Sequence, residues 1–182
     1  MRKGAELNEA RGGNIALIGF MGAGKTAVGR ALAARLGMEF IDLDERIADE
    51  AGMSVAEIFS LEGEDGFRIR EAAALRGALS GEGAVIACGG GVVNRDDNVS
   101  LLRERAVVFY LEVALETALR RVSRDGTARP LLETEDPGGA ARALMRERSS
   151  RYLAAAHEVV RADAASPEEL AEEIAGRWNR SR

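Results

Sequence analysis

An eight-residue segment near the start of the chain has the residue types and spacing that bind a polyphosphate. Residues 19–26, Gly-Phe-Met-Gly-Ala-Gly-Lys-Thr, match G-x-x-x-x-G-K-[ST], follow an apolar run and open a segment with helical periodicity. The glycines let backbone N–H groups reach phosphate oxygens, and the helix N-terminus adds positive potential. Lys25 is predicted to reach the β- and γ-phosphates, and the Thr26 hydroxyl to bind Mg²⁺. The predicted ATP-binding residues here are Gly22, Ala23, Gly24, Lys25, Thr26 and Ala27.

Lysine usage distinguishes this segment from an ordinary glycine-rich turn. Of the 25 lysine and arginine residues, only Lys3 and Lys25 are lysines, and Lys3 lies in the polar stretch that precedes the folded region. A compact ammonium fits among phosphate groups where a planar guanidinium does not. The choice of lysine at position 25 therefore supports nucleotide binding.

Two carboxylates follow the second apolar segment, in Phe40-Ile41-Asp42-Leu43-Asp44. Parallel sheets bind ligands at the carboxyl ends of their strands, and strand alternation directs Asp42 and Asp44 to one side. Two carboxylates so placed could divide the work, with one holding Mg²⁺ through water and the other accepting the proton of an attacking hydroxyl, or orienting it. The alternative is that Asp44 caps a helix beginning near Glu45.

Two later segments have groups that could contact an anionic acceptor. Arg68 and Glu71 lie three residues apart in a helical segment, a spacing that by itself is typical of a surface ion pair. Gly89, Gly90 and Gly91 end the third apolar run, and three successive glycines permit close approach of the backbone to a ligand. The triplet therefore indicates a ligand contact rather than a simple turn.

The elements that must position these residues alternate along the chain, which predicts an α/β fold with a five-stranded, mostly parallel sheet flanked by helices. Strands are expected at 15–18, 39–41, 84–88, 107–111 and 158–161. Helices are expected at 25–36, 44–50, 54–61, 66–80, 98–103, 115–124, 139–152 and 167–180. Ser54 with Glu57 indicates a capping box. The segment 124–139 is predicted to be a mobile lid, with a plain surface loop as the alternative.

Length and composition restrict the class of protein. The 182 residues, 46% of them hydrophobic, predict one domain at 14–182 after a flexible tail at 1–13. A net charge of −5 disfavours nucleic-acid binding. The absence of a long apolar run and the single cysteine, Cys88, predict a cytoplasmic protein without a membrane partner. We also expect a monomer.

The ordered set of motifs resembles the shikimate kinase family over residues 14–180. The P-loop, the Asp-x-Asp pair, the segment 63–71, the glycine triplet and Arg-Pro-Leu at 129–131 occur in the family order. The resemblance implies a three-layer P-loop kinase fold with a lid. It also implies ATP-dependent, Mg²⁺-dependent phosphorylation of the 3-hydroxyl of shikimate to shikimate 3-phosphate, in the chorismate pathway of aromatic amino-acid biosynthesis.

The same resemblance implies roles for individual residues. Asp44 would act as base or orienter, which leaves Asp42 to hold Mg²⁺ through water. Lys25 would bind the transferred phosphate, and Arg129 in the lid would close over the ATP phosphates. The implied substrate-binding residues are Asp44, Arg68, Gly89, Gly90, Gly91 and Arg148. Arginine suits this site because its fork binds a carboxylate bidentately. The adenine would lie between Arg121 and Pro167.

The residues leave open which arginine binds the carboxylate and which acceptor is phosphorylated. Ser150 stands where family members often have a proline, so Arg146 and Arg151 compete with Arg148 as the carboxylate partner. A P-loop also fits a small kinase for gluconate or a nucleoside monophosphate, or a nucleotide-dependent switch acting on a protein partner. Asp44 and Arg68 favour a small polyhydroxy acid over a nucleotide, and 182 residues leave little room for an added interaction domain.

Overall fold

A sheet of five parallel strands forms the centre of the computed structural model, which describes residues 13–125, 130–132 and 134–180. The strands are β1 (Asn14–Ile18), β2 (Glu39–Asp42), β3 (Ala84–Ala87), β4 (Ala106–Glu112) and β5 (Glu158–Arg161), in the spatial order β2-β3-β1-β4-β5. Every neighbouring pair is parallel, so the predicted sheet is confirmed. β1 and β3 are buried along their whole length, as expected for inner strands of a sheet covered on both faces.

Within the described ranges, seven α-helices connect and cover these strands. They are α1 (Lys25–Leu36), α2 (Leu43–Ala51), α3 (Val55–Ala78), α4 (Asp96–Arg105), α5 (Leu115–Asp125), α6 (Pro137–Ala155) and α7 (Pro167–Arg180). α3 contacts α4, and α4 and α6 contact β4 and each other, whereas α1 contacts β1, β2 and β3 and packs against α7. Because crossovers between parallel strands are right-handed, the first group covers one face of the sheet, and α1 with α7 covers the other. This is the three-layer arrangement that the sequence indicated.

Several helix boundaries differ from the sequence prediction by one to three residues, and two of the differences have a visible local cause. The helices expected at 54–61 and 66–80 form one kinked element, α3, because Gly63 adopts φ 71° and ψ −176°, a conformation that glycine reaches without a steric penalty. The helix expected from residue 139 begins two residues earlier, at Pro137. Its N-cap is Asp136, whose carboxylate accepts a hydrogen bond from the Gly139 N–H at 2.8 Å.

Parts of two predicted segments lie outside the described residues. These are the N-terminal tail except Gly13, and lid positions 126–129 and 133, which include Arg129. The described part of the lid contains a short 3₁₀ turn at Pro130–Leu132. No helix in the described ranges combines the length and the apolar character needed to cross a membrane.

The strand order brings the predicted motifs to one edge of the sheet. The P-loop follows β1, Asp42 ends β2, and the glycine triplet follows β3, which lies between the other two. Asp42 and Leu17 both pair with Ala87 of β3, so the three strands end at the same level. Connections leave β1 and β3 in opposite directions, and such a switch point is where open parallel sheets bind ligands.

The N-terminus of α3 provides a test of the confirmed capping box. The Glu57 N–H donates to Ser54 Oγ at 3.2 Å, and the Glu57 carboxylate accepts from the Ser54 N–H at 2.7 Å. Ser54→Ala should lower the free energy of unfolding in urea by about 1 kcal/mol, because a helix N–H loses its acceptor. Ser60→Ala, at an exposed interior position of α3, is the matched control. Equal losses in both variants would contradict the role of the cap.

Candidate active site

A cleft of about 520 Å³ opens at the carboxyl edge of the sheet. It is lined by Met21, Gly22, Gly24, Lys25, Thr26, Ala27, Asp42, Asp44, Glu45, Gly90, Arg121 and Val122. Most of the predicted ATP-binding residues therefore line one cleft, together with both predicted metal ligands. Ala23 is fully buried beneath the loop. Glu45 and Val122 belong to the cleft although no sequence motif indicated them.

The P-loop requires glycine at position 22 for packing as well as for backbone geometry. Gly22 has φ 74°, and a β-carbon there would lie 2.5 Å from the carbonyl oxygen of Ala118 in α5. The Gly22 carbonyl also accepts a hydrogen bond from Arg121 at 3.3 Å. The phosphate-binding loop is thus held directly against α5.

The only lysine of the folded region lies inside the loop. Lys25 Nζ donates to the carbonyl oxygens of Gly19 at 2.8 Å and Phe20 at 3.0 Å. These contacts hold the ammonium in the loop that the sequence predicted to bind phosphate. The positive charge and the N-terminus of α1 therefore face the same cleft.

The two predicted metal ligands are in contact with each other. The Thr26 hydroxyl donates to Asp42 Oδ2 at 2.7 Å. The other oxygen, Oδ1, accepts from the backbone N–H groups of Asp44 at 3.0 Å and Glu45 at 3.3 Å, which makes Asp42 the N-cap of α2. A hydroxyl and a carboxylate in one place are a donor set that suits Mg²⁺, which prefers oxygen ligands.

This geometry corrects two sequence interpretations of the Asp-x-Asp pair. The helix is capped by Asp42, so the proposed capping role of Asp44 was wrong. Strand alternation does not orient the pair either, because β2 ends at Asp42 and Asp44 lies in the first turn of α2. Both residues nevertheless line the cleft, since the N-terminus of α2 lies at the same edge of the sheet.

A second pocket, of about 90 Å³, adjoins the first. Met21, Asp44 and Gly90 line both. The remaining walls are formed by Val55, Phe59, Phe67, Arg68, Glu71, Gly89, Leu131 and Arg148. Leu131 comes from the described part of the predicted lid, and the rings of Phe59 and Phe67 pack with their centroids 4.7 Å apart. The pocket thus combines an apolar wall with two guanidinium groups and two carboxylates.

The expectation that Arg68 and Glu71 form a surface pair was wrong. Glu71 is fully buried, and its Oε2 accepts a hydrogen bond from Arg68 at 2.9 Å. Arg68, 8% exposed, also pairs with Glu64 at 2.8 Å. Burial raises the pKa of the Glu71 carboxyl, the Arg68 guanidinium opposes that rise, and the nearby Asp44 carboxylate adds to it. Helical spacing alone did not reveal this burial, because it depends on what packs over α3.

The glycine triplet is packed against this charged group. A β-carbon on Gly89 would lie 2.7 Å from Glu71 Oε1 and 2.8 Å from Asp44 Oδ1. A β-carbon on Gly91 would lie 2.3 Å from the Arg68 guanidinium. The absence of side chains at these two positions therefore allows the carboxylates and the guanidinium to reach the end of β3.

Of the three arginines that competed for the acceptor carboxylate, Arg148 lines the pocket. It is 2% exposed, and its Nε has no hydrogen-bond partner among the described residues. Arg146 is exposed, and Arg151 donates to the carbonyls of Val93 and Asn94 on the far side of the triplet. The geometry therefore favours Arg148.

The predicted adenine contacts are partly assembled. Arg121 lines the cleft and donates to the carbonyls of Ala162 at 2.7 Å and Asp163 at 3.2 Å, in the loop between β5 and α7. Pro167 is the first residue of α7 and is not among the residues that line the cleft. The adenine position thus stays a prediction, as does the role of Arg129.

Comparison with known proteins identifies the family. The shikimate kinase family profile matches residues 21–178. A shikimate kinase from Chromohalobacter salexigens is 46% identical over 166 residues, which cover 91% of this chain and 92% of the relative. A shikimate kinase from Symbiobacterium thermophilum is 46% identical over 162 residues, which cover 88% of this chain and 93% of the relative. The chain belongs to the shikimate kinase family.

Solved structures agree with this assignment. Shikimate kinase from Acinetobacter baumannii in complex with shikimate superposes with a TM-score of 0.89 at 39% identity, covering 93% of this chain and 94% of that one. A deoxyadenosine kinase from M. mycoides, with a TM-score of 0.60 at 18% identity and 91% and 99% coverage, shares the fold alone. A gluconokinase from Sinorhizobium meliloti, with a TM-score of 0.59 at 20% identity and 93% of each chain covered, also shares the fold alone. Family membership makes this chain a phosphotransferase that acts on shikimate.

The close contact between Gly91 and Arg68 gives a test of the pocket. Gly91→Ala should raise the KM for shikimate by roughly ten-fold, because the added methyl group displaces the guanidinium. Steady-state kinetics with shikimate as the varied substrate measure this effect. Gly81→Ala is the matched control, since a β-carbon there meets nothing within 4 Å. An unchanged KM in Gly91→Ala would contradict the packing argument.

Proposed function

We propose that this chain transfers the γ-phosphate of ATP to the 3-hydroxyl of shikimate, giving ADP and shikimate 3-phosphate in aromatic amino-acid biosynthesis. One observation carries the proposal: Met21, Asp44 and Gly90 line both the P-loop cleft and the pocket that contains Arg68 and Arg148. Phosphoryl transfer needs the acceptor oxygen next to the γ-phosphate, and a shared wall between the two sites provides that proximity.

The chemistry of the smaller pocket supports a small polyhydroxy acid as the acceptor. Arg68 and Arg148 supply two guanidinium groups for one carboxylate, and Asp44 supplies an acceptor for ring hydroxyls. The rings of Phe59 and Phe67 offer an apolar surface for a carbocycle. A nucleoside monophosphate would need a separate pocket for its base, whereas the two guanidinium groups and Asp44 suit one carboxylate and several hydroxyls. These features favour shikimate over a nucleotide.

Asp44 is the residue that we assign to the acceptor hydroxyl. The hydroxyl oxygen attacks the γ-phosphorus, the bond from phosphorus to the bridging β,γ-oxygen breaks, and the hydroxyl proton passes to the Asp44 carboxylate. Lys25 stabilises the charge on the phosphates from within the loop. We assign the same stabilising role to Arg129, in the predicted lid at 124–139. Arg121 and Pro167 are assigned to the adenine.

We also propose that Mg²⁺ accompanies ATP. The Thr26 hydroxyl would bind the ion directly and Asp42 through water, and the contact between these two side chains supports the pairing. When bound, the ion neutralises phosphate charge. Asp42 keeps its second oxygen on the N-terminus of α2, so the side chain is oriented before the ion arrives.

The compartment, the oligomeric state and the partners of the enzyme are also inferred from its sequence and its described residues. We propose a cytoplasmic monomer with one kinase domain at 14–182 and without nucleic-acid or membrane partners. The net charge of −5 supports the first exclusion, and the buried, unpaired thiol of Cys88 fits a reducing compartment.

A coupled ADP-release assay tests the acceptor. With Mg²⁺ and ATP, we expect turnover with shikimate to exceed that with gluconate or any nucleoside monophosphate by at least about 100-fold in kcat/KM. Gluconate lacks a ring to pack on Phe59 and Phe67, and a nucleoside monophosphate lacks the carboxylate for the two guanidinium groups. Faster turnover with a nucleotide, or no shikimate-dependent ADP release from folded protein, would refute the proposal.

Asp44→Asn tests the proton acceptor. The amide keeps the shape of the side chain but removes the base, so kcat should fall by roughly 100-fold or more while the Kd for ATP changes by less than about three-fold. Asp49→Asn makes the same change at an exposed position of α2 and should leave kcat unaltered. Undiminished turnover by Asp44→Asn would remove Asp44 from the mechanism.

A further inference from the structure

The Tyr152 hydroxyl lies between two parts of the acceptor pocket. Tyr152 is 1% exposed, and its hydroxyl donates a hydrogen bond to the carbonyl oxygen of Gly90. Arg148, one turn earlier on α6, brings its positive charge close to the same hydroxyl: burial raises the pKa of Tyr152, and the charge of Arg148 opposes that rise. The hydroxyl therefore lies between a guanidinium and a backbone segment that both line the acceptor pocket.

The ring that carries this hydroxyl is held in place by its neighbours. Tyr110 of β4 stacks on Tyr152, with ring centroids 5.1 Å apart and an interplanar angle of 22°. On the next residue of α6, Arg151 donates to the carbonyl of Val93 at 3.3 Å, just beyond the glycine triplet. Two successive residues of α6 are thus attached to the segment that follows β3, and the helix and the triplet form one packed unit.

The glycine triplet needs such an external attachment. Glycine has the largest backbone freedom of any residue, and Gly90 is flanked by two more glycines. A β-carbon at Gly90 would meet nothing closer than 3.6 Å, so tight packing does not restrain this residue as it does Gly89 and Gly91. The hydrogen bond to its carbonyl oxygen fixes the peptide that joins Gly90 to Gly91.

We propose that Tyr152 is a positioning residue for acceptor binding. Its hydroxyl holds the Gly90 peptide and the Arg148 guanidinium in one arrangement, so that backbone and charge meet the same substrate molecule without first being ordered by it. The entropy cost of ordering these two groups is then part of folding, so substrate binding does not have to supply it. The inference rests on the proposed function, because it requires that Gly90 and Arg148 contact shikimate.

Tyr152→Phe separates this role from a structural one. The ring and its stacking on Tyr110 remain, but the Gly90 carbonyl loses its donor and Arg148 loses its neighbour. We expect the KM for shikimate to rise roughly ten-fold, while the KM for ATP and kcat stay within about three-fold. A general loosening of the fold would instead change the constants of both substrates. Tyr110→Phe, which removes a hydroxyl from the same ring pair and leaves the Gly90 contact, is the matched control.

A second measurement uses a chain that keeps Tyr152. Tyr110 and Tyr152 are the two tyrosines of the sequence, so ¹³Cζ-tyrosine labelling of Tyr110→Phe leaves the Tyr152 signal alone. Saturating shikimate should shift this signal more than saturating Mg²⁺–ADP does. A signal that does not respond to shikimate would overturn the proposal, whatever the stability of Tyr152→Phe.

Assays of the wild-type enzyme distinguish a failure of the positioning role from a failure of the proposed function. If it turns over shikimate and Tyr152→Phe keeps the wild-type KM, the positioning role fails and the proposed function stands. Parallel increases in both KM values would also overturn the positioning role. If the folded wild type does not phosphorylate shikimate at all, the proposed function fails and the role of Tyr152 fails with it.

Discussion

Glycine at positions 89 and 91 sets how closely charged groups approach the end of β3. The Glu71 and Asp44 carboxylates meet the space where a Gly89 side chain would begin, and the Arg68 guanidinium occupies the corresponding space at Gly91. Burying Glu71 carries a desolvation penalty, and its ion pair with Arg68 offsets that penalty only because the geometry is close. The charges are therefore fixed in a region of low dielectric before any substrate arrives, where their interactions with a ligand are strong. The acceptor pocket depends on this packing.

The parallel sheet explains why this charged group lies beside the phosphate-binding loop. β3 lies between β1 and β2, so its glycine triplet emerges between the P-loop and Asp42. The loop in turn rests on α5, because Gly22 packs against Ala118. α5 leads into the predicted lid, so the helix before the lid touches the phosphate site directly. The P-loop cleft, the second pocket and the start of the predicted lid thus share one small region of the sheet edge.

The wider comparison separates the fold from the chemistry. Kinases for deoxyadenosine and gluconate share this architecture at 18% and 20% identity. The fold alone therefore does not decide the acceptor, and we propose that the side chains of the second pocket do so. Those that we assign to the acceptor are Arg68, Arg148 and Asp44, which come from three different helices. In this proposal their convergence, rather than any single motif, favours an acid with several hydroxyls over a nucleotide.

The sequence by itself determined the features that depend on neighbouring residues: the P-loop, the parallel α/β pattern, the Ser54 cap and the motif order that indicated the family. Such signals are visible without tertiary contacts, because each motif, cap, strand or helix is contained in consecutive positions and their order is part of the sequence itself. Only the tertiary structure decided that Glu71 is buried, that Asp42 is the cap, and that Arg148 rather than Arg146 lines the pocket. Successive residues of a helix point about 100° apart, so the arginines of α6 face different surroundings. Which arginine of α6 lines the pocket depends on β4, α4 and α5, which pack against α6. These elements are distant in the sequence, so no local pattern indicates the outcome.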